Sequence, residues 1–472
     1  MRILLIYPPI TAQEPIKIEP HPPLGLAYLA AFLEKHNHQV KILDALVLGL
    51  TDNQICQRIK KYRPELVGIS QMFTNYAADG YRLAEITKKI NPKITVVIGG
   101  AHPSINPESI FKNKNIDFVV KGEGEIAFLK LIQDLAKKTK NLKKIYSAPF
   151  IKNLDTLPFP AWHLLPMKTY DRPDDPLVRR HPLFSMITSR GCPGKCVFCS
   201  IHAIWGHCWR GRSPKNVVDE IELLLQKYGI REIHFQDDSL SVNPVRLKEI
   251  CQEIIRRRLN FKWATPNGIA YWTLNPELLG LMKQAGCYRI TFGIESASWR
   301  MRRWIGKPYS LSLAKKLTQT ANQLGFWTIH TYILGFPYET KKQIQKTIDF
   351  ALNSGVDFAL FYRLAPRLGT PVYDIFKQEG WLKSDNNLEG VPTQTKYFSP
   401  AELIAIRNSA YRRFLSHQVI RFLNPAIIGQ KIKNREDLNY ALRLVIYGLK
   451  LIPKLFLQPK QKITSKVIKG TF

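Results

Sequence analysis

Acidic side chains are scarce in this chain of 472 residues: 37 Asp and Glu stand against 69 Lys and Arg, a formal charge of +32. Such a balance attracts anionic partners, whether phosphorylated substrates, nucleic acid or lipid headgroups, and charge alone does not choose among them. Long apolar runs are missing too. The apolar start Ile3 to Tyr7 is stopped by Pro8 and Pro9, far short of a secretory signal's core. No uncharged apolar stretch approaches the roughly 20 residues that cross a bilayer, so the protein is expected in the cytoplasm. Cysteine is sparse and unevenly spread. Of seven, Cys192, Cys196, Cys199 and Cys208 fall within 17 residues, while Cys56, Cys251 and Cys287 lie apart on patterns that suit a core. An odd, clustered set argues against a disulfide framework and for a metal site in a reducing compartment. No internal repeat or low-complexity segment stands out. What is plentiful is apolar and aromatic residue, 45% and 11%, enough for large cores in about three domains.

Residues 1–144 alternate short apolar runs with helical patterns, as in a doubly wound, Rossmann-like parallel sheet. Candidate strands are Arg2 to Tyr7, Gln39 to Leu43, Leu66 to Ser70, Thr95 to Gly99 and Phe118 to Val120. A ligand would sit beyond their carboxyl ends, at the Pro8, Ser70 and Gly99-Gly100 turns. Residues 145–183 are broken by Pro158, Pro160, Pro166, Pro173, Pro176 and Pro182 and form a linker. Over 184–370 a second alternation, opening at Phe184 to Ser189, predicts a partial (βα)6 barrel with its chemistry at the carboxyl ends of the strands. Ser213 is placed to cap its first helix, with Pro214 in the first turn. Residues 371–472 are a basic helical region. The last 72 residues hold 14 Lys and Arg against 3 acidic residues, with Arg443, Lys450 and Lys454 on one side of a helical pattern. The apolar side left over suits a membrane surface, giving a peripheral contact at the inner face. It suits equally a terminal helix packed on the barrel with solvated lysines.

The segment Ser189-Arg190-Gly191-Cys192-Pro193-Gly194-Lys195-Cys196-Val197-Phe198-Cys199 follows a strand and precedes a helix, so three thiolates would converge at the barrel mouth. Three soft ligands on one tight loop suit an iron-sulfur cubane, with one iron left for a substrate or cofactor. The alternative on spacing is zinc completed by Cys208, His202 or His207, which would make the chain a zinc-dependent nucleic-acid-binding module. Against it stands the lack of a second Cys-x-x-Cys.

The pattern Cys192-x3-Cys196-x-Phe198-Cys199 resembles the signature of the radical S-adenosylmethionine superfamily. That resemblance implies that the methionyl amine and carboxylate chelate the open iron of a 4Fe-4S cluster, and that one electron cleaves the sulfonium to a 5′-deoxyadenosyl radical. The match continues through Phe235-Gln236-Asp237-Asp238, Phe292-Gly293-Ile294-Glu295-Ser296 and Gly335-Phe336-Pro337-Tyr338-Glu339-Thr340. By resemblance, Phe198 belongs to the cofactor pocket and Asp237 and Asp238 replace the motif that receives the methionyl amine. Glu295 and Ser296 lie near the ribose, and Gly335, Phe336 and Pro337 lend backbone to the adenine.

The N-terminal domain resembles the cobalamin-binding domain of one subfamily, through Pro22-Pro23-Leu24-Gly25-Leu26-Ala27-Tyr28-Leu29, Asp44, Val67-Gly68-Ile69-Ser70, Gly99-Gly100-Ala101-His102 and Gly122-Glu123-Gly124-Glu125. Gly25, Asp44, Ser70, Gly99, Gly100 and Gly122 are the implied cobalamin residues, small side chains at strand ends letting a flat macrocycle approach the backbone. His21 is one position off the Asp-x-His-x-x-Gly register of domains that supply a histidine to cobalt, and no Asp precedes it suitably. The resemblance therefore implies an enzyme, a radical methyltransferase with a 4Fe-4S cluster, S-adenosylmethionine and cobalamin. It would C-methylate a small natural product or lipid-like molecule, fed by an external flavodoxin- or ferredoxin-type electron donor and with no specific nucleic acid. Radical ring closure or rearrangement without methyl transfer is the alternative. Cys208 is a candidate catalytic thiol that protonates or quenches an intermediate, and Tyr271, Trp272, Trp299, Trp304 and Tyr362 are candidate cavity aromatics.

Overall fold

The computed structural model describes residues 1–10, 21–72, 74–382 and 394–456. Six strands build the first sheet: β1 (Arg2–Tyr7), β2 (Gln39–Asp44), β3 (Leu66–Ser70), β4 (Thr95–Gly99), β5 (Phe118–Lys121) and β6 (Ile145–Ser147). All pair in parallel, in the order β2-β1-β3-β4-β5-β6. Their near-continuous apolar runs follow from having helices on both faces: Ile3 and Leu5 pack in one core, Leu4 and Ile6 in the other. The order reverses between β1 and β3, which opens a crevice beyond the carboxyl ends of those strands. The sixth strand falls in the segment expected to be linker. Three residues carry no alternation to read, and Ile145–Ser147 is a strand because β5 offers it an edge, with Val119 opposite Ile145.

The rest of the linker is irregular and packed. Short 3-10 turns at Leu154–Thr156, Trp162–Leu164 and Met167–Tyr170 carry Leu154, Trp162 and Tyr170 into the interior. Trp162 meets Phe184 edge to face at 5.0 Å, and the Tyr170 hydroxyl donates to Asp44 Oδ2 at 2.7 Å across the domains.

The second sheet holds β7 (Leu183–Met186), then, after the short strands β8 (Ser189–Arg190) and β9 (Arg210–Gly211), the strands β10 (Glu232–Phe235), β11 (Lys262–Ile269), β12 (Cys287–Glu295), β13 (Trp327–Leu334) and β14 (Phe358–Arg363). Its six parallel strands run β7-β10-β11-β12-β13-β14 in sequence order, each followed by helix, which is the partial barrel the alternation predicts. Ser213 caps the helix Pro214–Tyr228 through Asn216 N–H, as expected. Strands β8 and β9 pair antiparallel as a two-stranded base from which the cysteine loop projects.

Among the described residues, four helices follow the barrel: Pro371–Gln378, Pro400–Phe422, Pro425–Lys431 and Arg435–Phe456. Lys431, fully buried, donates to Asp357 Oδ2 at 2.6 Å. The helix Arg435–Phe456 docks Tyr440 against Tyr288 and Trp327, while Glu436 and Asp437 pair with Arg179 and Arg180. Its other side leaves Leu438, Leu442, Val445, Ile446 and Leu449 exposed. The docked face is that of a terminal helix packed on the barrel, the second of the two sequence expectations. Arg443 donates to the Arg179 carbonyl at 3.0 Å, Lys450 is exposed, and the side chain of Lys454 lies outside the described residues.

Candidate active site

The cysteine loop leaves β8, turns through Gly191 and returns by the helix Ile201–Trp205 to β9. Gly191 has φ +83 and a side chain there would collide with the backbone of Cys208, so the loop can close only on glycine. Gly306, at φ +81, lets its backbone meet Lys195 in the same way, and Val197 N–H bonds to the Ile305 carbonyl at 3.2 Å. Within this frame Gly194 lies beside both Cys192 and Cys196, and its N–H points at Cys192 Sγ at 3.5 Å. Burial pushes all three thiols up, Cys196 to about 11, with Lys307 opposing at Cys192 and Cys196. Among the described residues no three His, Cys, Asp or Glu side chains gather tightly enough for a single metal ion. The three thiols lie close enough that Cys199 and Cys192 both push that of Cys196 up, and three thiolates on one loop fit a cubane, in which each would reach a different iron. The Cys208 thiol is exposed, and the rings of His202 and His207 stack on each other at 4.4 Å, with His207 Nδ1 against the Gly194 carbonyl.

Around the loop, the strand ends bring several expected residues together. Phe198 lies 5.9 Å from Phe336, and Trp304 packs on Phe336 at 6.0 Å, forming an aromatic wall. Asp238 Oδ2 accepts from Gly191 N–H at 2.9 Å and opens to solvent; burial of the surrounding site and then Asp237 push its carboxyl up to about 6. Asp237 faces elsewhere. Its carboxylate accepts from Thr188 N–H and Oγ1 and from Ser189 Oγ, so it braces the strand that leads into the cysteines. Ser296 is fully buried against Thr347 and accepts from Ser298 N–H, holding its own turn. Glu295 sits at φ +64, a conformation uncommon outside glycine, at a register shift between β12 and β13. That strain aims its carboxylate at Lys307, 2.7 Å away. Gly335 has φ +87, and its N–H and that of Phe336 donate to buried Glu339, whose carboxyl burial pushes up to about 8. Pro337 accepts from Lys396 N–H through its carbonyl.

Sequence reasoning missed Lys307 and Tyr309. Tyr309 stacks on Trp272 at 3.6 Å, and its hydroxyl is pushed up by burial and then by Cys196 and Cys192. No pattern in Trp304-Ile305-Gly306-Lys307 marks a site; only the fold of the loop beneath it does. Of the other aromatics, Tyr271 is buried, while Trp299 and Tyr362 are 54% and 51% exposed.

In the N-terminal domain, nothing beyond the adjoining backbone lies within 4 Å of where a side chain would start on Gly25 or Gly122. Gly100 has φ +116 and lies so close to the Gln71 backbone that a Cβ would sit 2.6 Å from its carbonyl oxygen. Ser70 and Gly99 end neighbouring strands and pair in register. Open surface over small residues at the crevice fits a flat macrocycle. Asp44 is taken up by Tyr170 and Val47 N–H. His21 Nδ1 meets Ser185 Oγ on β7 at 3.2 Å, turned to the barrel. Glu123 and Glu125 face the second domain, where Arg190 and Arg210 reach them.

The model of the B12 binding domain matches residues 19–132, and that of the Radical SAM superfamily matches residues 186–351. The chain is 35% identical over 445 residues to an uncharacterized methyltransferase of Pyrococcus horikoshii, covering 91% of this chain and 92% of that protein. The chain belongs to the radical S-adenosylmethionine superfamily, in its B12-binding branch. A second relative of this radical enzyme, cytidylyl-2-hydroxyethylphosphonate methyltransferase of Streptomyces wedmorensis, is 30% identical over 78% of this chain and 80% of its own length. The solved structure of the radical S-adenosylmethionine methyltransferase TsrM from Kitasatospora setae, with cobalamin and a [4Fe-4S] cluster bound, shares the fold. It has TM-score 0.65 and 20% identity over 85% of this chain and 84% of that one. The protein is therefore a radical S-adenosylmethionine methyltransferase whose cofactors are a 4Fe-4S cluster, S-adenosylmethionine and cobalamin. The zinc-module reading is set aside. Cys192, Cys196 and Cys199 are the residues that could hold the cluster, and the small residues Gly25, Ser70, Gly99, Gly100 and Gly122 are those that could face cobalamin.

Proposed function

We propose that the protein methylates an unactivated carbon of a small, anionic, partly apolar molecule. The bound cofactors supply a carbon-centred radical and a methyl carrier. What supports the reading is one observation: the loop bearing the three cysteines is fastened directly to the cobalamin-binding domain, through Arg190 and Arg210 on Glu123. The two halves of the chemistry therefore face one space. In it Asp238 is the open acceptor for a methionyl amine, Lys307 offers a buried cation beside Cys196, and Phe198, Phe336, Trp272 and Tyr309 supply flat apolar surface that excludes water. The positive charge of the molecule favours an anionic acceptor, as the nucleotide-linked phosphonate named for the Streptomyces relative is, and an acidic flavodoxin- or ferredoxin-type donor. A peripheral seat on the inner face of a membrane goes with a lipid-like acceptor, since the exposed apolar stripe of Arg435–Phe456 is flanked by Lys450. Among the described residues no helix is long and apolar enough to cross a membrane.

The test is anaerobic incubation of reconstituted protein with S-adenosylmethionine, a reductant and candidate acceptors, followed by mass analysis. A product carrying an added methyl group supports the reading. A product that has closed a ring or rearranged without one replaces it with the alternative chemistry.

A further inference from the structure

The two domains are joined by four charged side chains in the interior. Arg190, two residues before the first cluster cysteine, forks between carboxylates: Nη1 donates to Glu123 Oε1 at 2.9 Å and Nη2 to Glu125 Oε1 at 2.6 Å. Arg210, on the strand that ends the cysteine loop, donates to the same Glu123 Oε1 at 2.8 Å and to the Ile151 carbonyl at 2.8 Å. The second oxygen of Glu123 accepts Ile151 N–H at 2.7 Å. Glu123, Glu125 and Arg190 are all buried. Burial pulls the Arg190 guanidinium down, but Glu125 and Glu123 outweigh it and hold it charged. Its flat face lies 5.1 Å over the Tyr28 ring, on the first helix of the cobalamin-binding domain, while Arg210 lies 4.9 Å over Phe150.

We infer that Glu123 and Glu125 are positioning residues that set where the cluster loop stands against the cobalamin-binding sheet. Arg190 and Arg210 pair across β8 and β9, so the base of the loop is gripped at both ends. The carboxylates begin a helix that follows β5, directly after Gly122 on the crevice side of the first sheet. One rigid, charge-balanced network thus runs from the strand end that faces cobalamin to the residue that precedes Cys192. A forked guanidinium fixes angle as well as distance, which an apolar interface of the same area would not. A shift of about 1 Å between reacting groups costs on the order of a hundredfold in rate, so such a gauge has a use. The inference rests on both cofactors being bound as the family requires.

The test compares wild type with Arg190→Lys, which keeps charge and loses the fork, and Glu125→Gln, which keeps shape and loses charge. Glu277→Gln, which disturbs only an exposed pair with Lys248, serves as control. Each protein is reconstituted with iron, sulfide and hydroxocobalamin and reduced, and the electron-spin relaxation of the cobalt(II) signal beside the reduced cluster is measured. Both network variants are expected to hold iron and cobalamin at wild-type stoichiometry and to lose relaxation enhancement, while the control keeps it. Wild-type relaxation in both variants overturns the inference, as does loss of a cofactor from both, which would make the network merely structural. Should one variant fail to fold, the other decides. A wild-type protein that takes up no cobalamin overturns the cofactor assignment itself.

Discussion

An ammonium group removed from water stays charged only if anions face it. Burial pulls Lys307 down, yet Glu295 and Cys196 outweigh that and hold it above its ordinary value. The cation therefore stabilises negative charge on the neighbouring cluster ligands. Lys307→Met is expected to lower the cluster's midpoint potential by roughly 50–100 mV, the size of a charge interaction of about 1–2 kcal/mol at short range. An anaerobic redox titration followed by electron paramagnetic resonance reads it. Glu339 gives a second residue-scale expectation. Its folded pKa of about 8 lies above the ordinary 4.5, so the folded state holds the proton more tightly. Its contribution to stability is present below pH 4.5 and is lost as pH rises toward 8. Glu339→Gln, which keeps an acceptor for Gly335 and Phe336 N–H, should flatten that loss, seen as a smaller fall in Tm between pH 6 and pH 9 than wild type shows. These two side chains also mark the limit of legibility. The cysteine spacing could be read directly because one short loop contains it, whereas Lys307 reaches its place only through the turn at Gly306. Asp237 and Asp238 are adjacent in sequence and face different ways, because the chain has left β10 and bends at Asp238.

Elements were readable where a local signal agreed with the fold. Ser213-Pro214 announces its helix by cap and first-turn chemistry, and Ser213→Ala should cost about 1 kcal/mol in a denaturant titration. Ile145–Ser147 carries no such signal, because a three-residue strand owes its existence to the edge it joins. The same holds for Tyr170, hidden in a proline-rich segment whose only evident property was breaking regular structure. Tyr170→Phe leaves the buried Asp44 short of a donor and should destabilise the protein by about 1–3 kcal/mol. The order of the barrel strands, by contrast, follows from repeated strand-helix units and right-handed crossovers, which allow few arrangements.

At the scale of the whole molecule, charge and apolar surface are distributed together. Glu436 and Asp437 are neutralised by Arg179 and Arg180, so the acidic residues of the last helix do not offset its cations. Val419, Ile420 and Leu423, at the end of the helix Pro400–Phe422, add further exposed apolar surface. Vesicles containing anionic phospholipid should co-sediment the protein, and zwitterionic vesicles should not. Leu442→Glu with Ile446→Glu should abolish the difference without loss of secondary structure; equal binding by the variant would remove the membrane reading. The radical chemistry depends on Cys192, Cys196 and Cys199 holding a cluster that cleaves S-adenosylmethionine. Anaerobic incubation of wild type and Cys199→Ala with S-adenosylmethionine and a reductant measures it most directly. The wild type is expected to yield 5′-deoxyadenosine and the variant none; equal yields from both, or a wild-type protein carrying zinc in place of iron, would contradict a cluster held by these cysteines.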